Sequence, residues 1–254
     1  MSETKTVQSA GVEIREVSSI EEYDTCIKLQ REAFGLPDVE ISPRRHLIVS
    51  RMAGGWTLGA FIEGKLMGFV HHMAAAHGDR IFGYSHMMAV AAEYQNRGVG
   101  AQLKWAQRAR ALAEGRDFIK WTFEPMRARN AHFNLNRLGA NIREYAVNFY
   151  GTDYGNPAGK TIGMDSDRLF AGWELRSPRV EALSGGRQYP LGKPDEAIEI
   201  PGDFSTLLKS DVQLAKREVL RVREEFLKAL SAGLVCGSFE RHPEKPRYLF
   251  YREG

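Results

Sequence analysis

Apolar and polar positions alternate with a period of two over residues 12–17, as in a strand with one buried face. The spacing turns helical over residues 20–34, around Ile20, Tyr23, Ile27 and Phe34. Gly35-Leu36-Pro37-Asp38 stops that helix. Residues 39–53 admit two readings, a short helix or a loop lining a substrate entrance. Two apolar runs, 57–63 and 65–74, predict strands that turn at Gly64. Residues 84–90 predict a further strand and residues 102–113 a helix, with Val99, Leu103, Ala106, Ala109 and Ala113 along one side. A strand over 117–123 and a helix over 130–138 follow.

Beyond Gly151 the texture changes. Residues 153–167 are rich in Gly, Pro and Asp and predict a loop, and residues 169–175 predict a strand. Ser210-Asp211-Val212-Gln213 has the form of a capping box. Behind it Val212, Ala215, Val219, Val222, Phe226 and Leu230 make an apolar stripe that ends at Gly233. This long amphipathic helix either packs on its own sheet or forms the seam of a homodimer. Residues 235–239 and 248–251 predict terminal strands. The chain divides accordingly into a core over residues 12–151 and a C-terminal extension over 152–254.

Composition narrows the function classes. A formal charge of +3 over 254 residues gives no reason to expect nucleic acid as a partner. Cys26 and Cys236, far apart in sequence, argue against a disulfide scaffold and for a reducing compartment. No apolar run approaches the roughly 20 residues that cross a bilayer, and the polar start does not resemble a signal peptide. The expectation is a cytoplasmic protein without a membrane partner. His71, His72 and His77 are unaccompanied by Cys or paired carboxylates, and neighbouring strand residues point to opposite faces, so no metal is expected.

The most specific chemistry lies in Gln95, Asn96, Arg97, Gly98, Val99, Gly100 and Ala101, between the strand over 84–90 and the helix over 102–113. Two glycines one residue apart let the backbone turn sharply and approach a ligand. The amides that open the following helix lack intrahelical partners, and the helix dipole favours an anion there. A dinucleotide fingerprint needs a third Gly or Ala where Leu103 stands. A Walker loop needs Lys-Ser/Thr where Ala101-Gln102 stand.

The remaining Q/R-x-x-G-x-G/A pattern, with Val90 five residues before its first position, resembles the acyl-CoA loop of the GNAT superfamily of N-acyltransferases. That resemblance extends over residues 12–151. It implies a mixed α/β fold with a mostly antiparallel, twisted sheet, a splayed central strand pair and flanking helices. It also implies acetyl-CoA or another acyl-CoA as co-substrate, bound by the loop, by the backbone of Met88 and Val90, and by Asn130 against the pantetheine arm. The segments SHMMAV, WTFEP and NAHFN, with the later extension, look like a branch of predicted GNAT acetyltransferases. Some of its members are thought to acylate amino acids, with succinyl as well as acetyl groups. A small-molecule amine, an amino acid among the options, is therefore the expected acceptor. A protein or peptide N-acetyltransferase and a non-catalytic acyl-CoA sensor are the alternatives.

Transfer to an amine requires a neutral nitrogen, because an alkylamine with a pKa near 10 is protonated at neutral pH. Alternation places Tyr84, His86 and Met88 on one strand face. His86 stands four residues before Val90, where arylalkylamine N-acetyltransferases carry a histidine implicated in proton removal. It is the first catalytic candidate, its other role being a hydrogen bond within the sheet. Glu124 is the second, as base, as holder of the substrate ammonium, or as partner of Arg127 or Arg129. The tyrosine that many family members use to protonate the thiolate is replaced here by Leu135. Tyr150 is taken as its substitute, with Tyr145 and Tyr154 as further options. Arg168 either recognises a carboxylate or pairs with Asp165 or Asp167. Arg44, Arg45 and Lys104 are candidate phosphate contacts.

Overall fold

The computed structural model describes residues 11–154 and 162–252. These fall into two compact units, which part between Ile119 and Lys120. This division does not coincide with the change of texture at Gly151, which marks where a sequence resemblance ends.

The first unit carries β1 (Val12–Glu16), α1 (Ile20–Phe34), α2 (Arg44–Met52), β2 (Trp56–Ile62), β3 (Lys65–His77), β4 (Arg80–Val90) and α3 (Val99–Ala113). Its strands pair antiparallel in the order β1-β2-β3-β4. Ser19 and Glu22 close a capping box at the start of α1, and Gly35, left-handed at φ 60°, ends it. The ambiguous stretch around residue 45 is helical. It reads poorly because Leu47 is the one fully buried side chain of α2. The β3–β4 hairpin is longer than the apolar pattern indicates, continuing to His77 and resuming at Arg80.

One face of these strands packs Phe69 and Ala89 against Tyr23, Leu29 and Leu47 of α1 and α2. The other packs Leu58 and Val70 against Val99 and Leu103 of α3. The buried side of α3 keeps Val99, Leu103 and Ala106 of the expected stripe, but it turns to Lys104, Gln107 and Ala111, whereas Ala109 and Ala113 are exposed. Two polar side chains are tolerated inside because they are hydrogen-bonded. Lys104 Nζ donates to Ser85 Oγ (3.1 Å) and Gln107 Oε1 (2.7 Å), and Gln107 Nε2 reaches His72 Nδ1 (3.3 Å).

The second unit carries β5 (Phe118–Phe123) from Lys120 onward, α4 (Ala128–His132), β6 (Asn141–Ala146), β7 (Arg168–Glu174), α5 (Pro178–Ser184), β8 (Glu196–Glu199), α6 (Phe204–Ser210), α7 (Val212–Ser231), β9 (Leu234–Glu240) and β10 (Arg247–Arg252). Its strand order is β5-β7-β6-β9-β10-β8. The helix expected over 130–138 is α4 followed by a π-helical turn at Phe133–Arg137. The cap of α7 is Asp211, whose side chain accepts from the Leu214 amide, while Ser210 closes α6. The apolar stripe of α7 packs within its own unit. The Phe226 ring lies 4.9 Å from that of Tyr248 and 5.1 Å from that of Phe250. Part of the expected loop over 153–167, residues 155–161, lies outside the described residues.

Candidate functional site

The glycine-rich loop has the conformation its sequence demands. Asn96 (φ 62°) and Gly98 (φ 85°) are both left-handed, a geometry that glycine, and less readily asparagine, adopts without strain. Helix α3 opens one turn earlier than the apolar pattern implies. Its first intrahelical bond, from Gln102 N to Gly98 O (3.1 Å), leaves the amides of Val99, Gly100 and Ala101 in the first turn. No side chain caps them, which is the arrangement that suits an oxyanion. A Cβ on Gly100 would meet nothing nearer than the Met88 methyl at 3.4 Å. Packing alone therefore does not require a glycine there, and the small residue keeps the space before the amides open. Gln95 Nε2 donates to the Val90 carbonyl (3.0 Å), tying the loop to the end of β4. The Arg97 guanidinium lies 5.7 Å from the Tyr94 ring centre.

His86 is reached by a break in the strand ladder. Opposite β3, His71 pairs with Met87 and His72 with Ser85, so His86 is the extra residue of a β-bulge. The consequence corrects the simple alternation. Met88 packs with the α3-side cluster, whereas His86 emerges on the α2 side, with Nε2 3.2 Å from Ser42 Oγ. Ser42 is itself clamped by the buried Gln30 of α1, which accepts from the Ser42 amide (2.9 Å) and donates to its carbonyl (3.2 Å).

Three imidazoles meet here. His46 of α2 lies with its ring centre 5.5 Å from both His71 and His86, each edge-to-face, and His71 and His86 are 6.1 Å apart. His71 is fully buried, with Nδ1 on Thr57 Oγ1 (2.8 Å) and Nε2 on Ser50 Oγ (3.2 Å). The Ser50 hydroxyl already donates to the Leu47 carbonyl (2.9 Å). It must therefore accept from His71 Nε2–H, which leaves Nδ1 to accept from Thr57. Burial, then the neighbouring imidazoles, pushes the His71 pKa down to about 3. His86 opens to solvent along one side, yet the protein packed around it, and His46 after that, lower its pKa to about 4. Both rings are neutral at pH 7. His72, on the opposite strand face, stacks on Trp56 at 4.1 Å and takes no part in this cluster.

A cavity of about 600 Å³ opens against the cluster, lined among others by Ile41, Ser42, His46, Val49, Ser50 and Met73. That volume falls in the range of small-molecule sites, and the walls are largely apolar with a few polar groups at one end. The segment between α1 and β2, ambiguous in sequence, supplies most of it. Nothing in the local pattern marks Ser42, His46 or Gln30, because their partners lie on other elements.

Other candidates fare differently. Lys104 is buried among Ser85 and Gln107, away from any phosphate role, and Arg44 is engaged with Asp24 at 2.8 Å. Arg45 lines the cavity. In the second unit Glu124 pairs with Arg127 at 2.8 Å. Asn130 is exposed in the middle of α4. Leu135 is wholly buried. Tyr150 OH lies 3.2 Å from Thr122 Oγ1, and its ring stacks on Tyr154 at 4.6 Å. Tyr145 bonds Asp167 (2.5 Å) in the interior, where burial and that carboxylate raise its pKa, so it is structural. Asp165 and Asp167 are not partners of the Arg168 side chain. Arg223 of α7 takes both, at 2.8 Å each, while Arg168 donates to the Asp167 carbonyl and lies over Tyr150. Among the described residues no group of His, Cys, Asp or Glu is arranged to hold a metal ion. No helix among them is long and apolar enough to cross a membrane.

Residues 22–139 match the model of the acetyltransferase (GNAT) family. No curated protein matches significantly. Among solved structures, a GNAT family acetyltransferase from Elizabethkingia anophelis with acetyl-CoA bound is similar over 66% of this chain and 100% of its own, with TM-score 0.50 and 18% identity. The ribosomal-protein-S18-alanine N-acetyltransferase of Escherichia coli is similar over 65% and 95%, with TM-score 0.51 and 14% identity. An N-acetyltransferase from Staphylococcus aureus Mu50 is similar over 66% and 100%, with TM-score 0.51 and 12% identity. At such identities the likeness concerns the fold. The match to the acetyltransferase (GNAT) family thus covers residues 22–139, on a mixed α/β, mostly antiparallel scaffold that has the fold of these neighbours.

Proposed function

We propose that the protein is an N-acyltransferase that moves an acetyl or other acyl group, succinyl included, from acyl-CoA to the amine of a small molecule. The carrying observation is the cavity of about 600 Å³ into which Ser42 and His46 project beside His86. A cavity of that size accommodates a small acceptor. The uncapped amides at Val99, Gly100 and Ala101 support the donor side, as a cradle for the pyrophosphate of CoA, with Gln95, Asn96, Arg97 and Gly98 shaping the turn.

In this reading the acceptor ammonium loses a proton to His86, directly or through water, and the freed lone pair attacks the thioester carbonyl. A backbone amide near Met88 stabilises the oxyanion, an effect of roughly 3 to 4 kcal/mol per donor in characterised enzymes. Collapse of the tetrahedral intermediate expels the CoA thiolate. A thiol pKa near 8.5 makes its protonation at pH 7 worth only about 2 kcal/mol, so solvent or Tyr150 suffices. Glu124 is the second candidate for the base and Asn130 a contact for the pantetheine arm. Screening amines against acetyl- and succinyl-CoA by thiol release tests the proposal. Turnover confined to small amines is the expected result. Turnover confined to peptides would move the assignment to protein acylation, as the name of the Escherichia coli neighbour describes for that enzyme. Binding of acyl-CoA with no release from any amine would make the chain a sensor.

A further inference from the structure

Of the three clustered imidazoles, His71 is committed. Both its nitrogens are held by hydroxyls, and the hydrogen-bond direction at Ser50 fixes its neutral tautomer. The other two differ. His86 has one nitrogen on Ser42, and His46 Nε2 is buried without a hydrogen-bond partner. An unsatisfied buried nitrogen is unfavourable by about 1 to 3 kcal/mol, and such atoms are few in folded proteins. Its persistence beside a second imidazole, at the wall of a cavity, calls for a function. The groups around His86 are His46 from α2, His71 from β3 and Ser42, while Glu40 and Arg45 line the cavity against Ser42 and His46.

We infer that His46 is a positioning residue for His86, its ring packed edge-to-face against that of His86 at 5.5 Å, above a hydroxyl-locked His71. The inference rests on the acyltransferase reading and deepens it. When the acceptor arrives as an ammonium, one N–H bond breaks at the substrate and one forms at His86. The positive charge moves from substrate to imidazole, and the net charge of the site is unchanged. The edge-to-face contact with His46 holds the His86 ring, and the nearby imidazole disfavours the charged form of His86.

The test follows the His86 ring by NMR through a pH titration of the intact chain, in the unsubstituted protein and in His46→Gln, alongside the pH profile of thiol release. Removing the neighbouring imidazole raises the His86 midpoint by about 0.5 to 1 pH unit. The acid limb of activity moves by the same amount, kcat falls roughly tenfold, and KM for acyl-CoA is unchanged. In His46→Ala, added imidazole restores turnover through the open cavity. A His86 midpoint that stays put in His46→Gln overturns the positioning role whatever the activity. A shifted midpoint with no thiol release from any amine retains that role and overturns the acyltransferase reading instead. Should His46→Gln not fold, His46→Asn carries the same measurement.

Discussion

The anion nest and the histidine corner lie in the same unit and are built on opposite plans. The nest is seven consecutive residues whose work is done by backbone amides. Identity matters at Asn96 and Gly98 for their left-handed φ, and at Gly100 for the space that a small residue leaves. The corner draws single side chains from α1, α2, β3 and β4, and depends on a one-residue irregularity between strands. A site made of main chain can be written in a short word. A site made of side chains must be assembled by the fold.

The contrast can be broken experimentally, and the largest effect is expected at the corner. His86→Gln should lower kcat with the amine by roughly 100- to 10,000-fold, the usual contribution of a positioned base, while acyl-CoA affinity stays within about twofold. Equal losses in both, read by calorimetry beside steady-state rates, would erase the distinction. The reverse pattern is expected for Gly100→Glu, which puts a carboxylate into the nest. Acyl-CoA affinity should fall by about 100-fold, near 2.7 kcal/mol. Thermal stability should hold or rise slightly, because an acidic residue in the first turn favours a helix. Undiminished CoA binding by this variant would remove the nest from the donor site.

The smallest expected effect separates the corner's support from its chemistry. His71 and His72 keep pKa values near 3 in the fold, against about 6.5 in an unfolded chain. Since the unfolded state takes up protons first, stability is complete above pH 6.5 and declines as pH falls toward 3. The loss at pH 5.5 is about 1.4 kcal/mol per such histidine, and His86, held near 4, adds a similar share. Chemical denaturation at pH 8 and 5.5 should show that decline, and His71→Asn should remove about a third of it. An equal decline in the variant would mean that His71 does not titrate as its burial implies.

The same contrast explains what the sequence could reveal. The strands β1 to β4, α1 and the long helix α7 were legible because each carries several periods of an apolar pattern. The short elements α5, α6 and β8 span too few periods to register. The buried side of α3 was read only in part because Lys104 and Gln107 look like surface residues until Ser85 and His72, far away in sequence, are seen to satisfy them. His86 was found through its distance from Val90, but its face was assigned by an alternation that the bulge interrupts. His46, Ser42 and Gln30 carried no local signal at all. The pairing of Asp165 and Asp167 with Arg223 was likewise hidden, since Arg168, their neighbour in sequence, was the nearer suitor.

The bulge at His86 has a consequence for how this chain can change. Deleting that single residue would let the β3–β4 ladder run without interruption, and the resulting sheet would be better paired than the present one. Every side chain beyond the cut would keep its face, and only the imidazole would be gone. Selection for stability alone would therefore favour shortening the strand by one residue. The extra residue persists as a small, permanent defect in the hairpin, and its retention among descendants of this chain would track the need for a histidine at that spot rather than the needs of the fold.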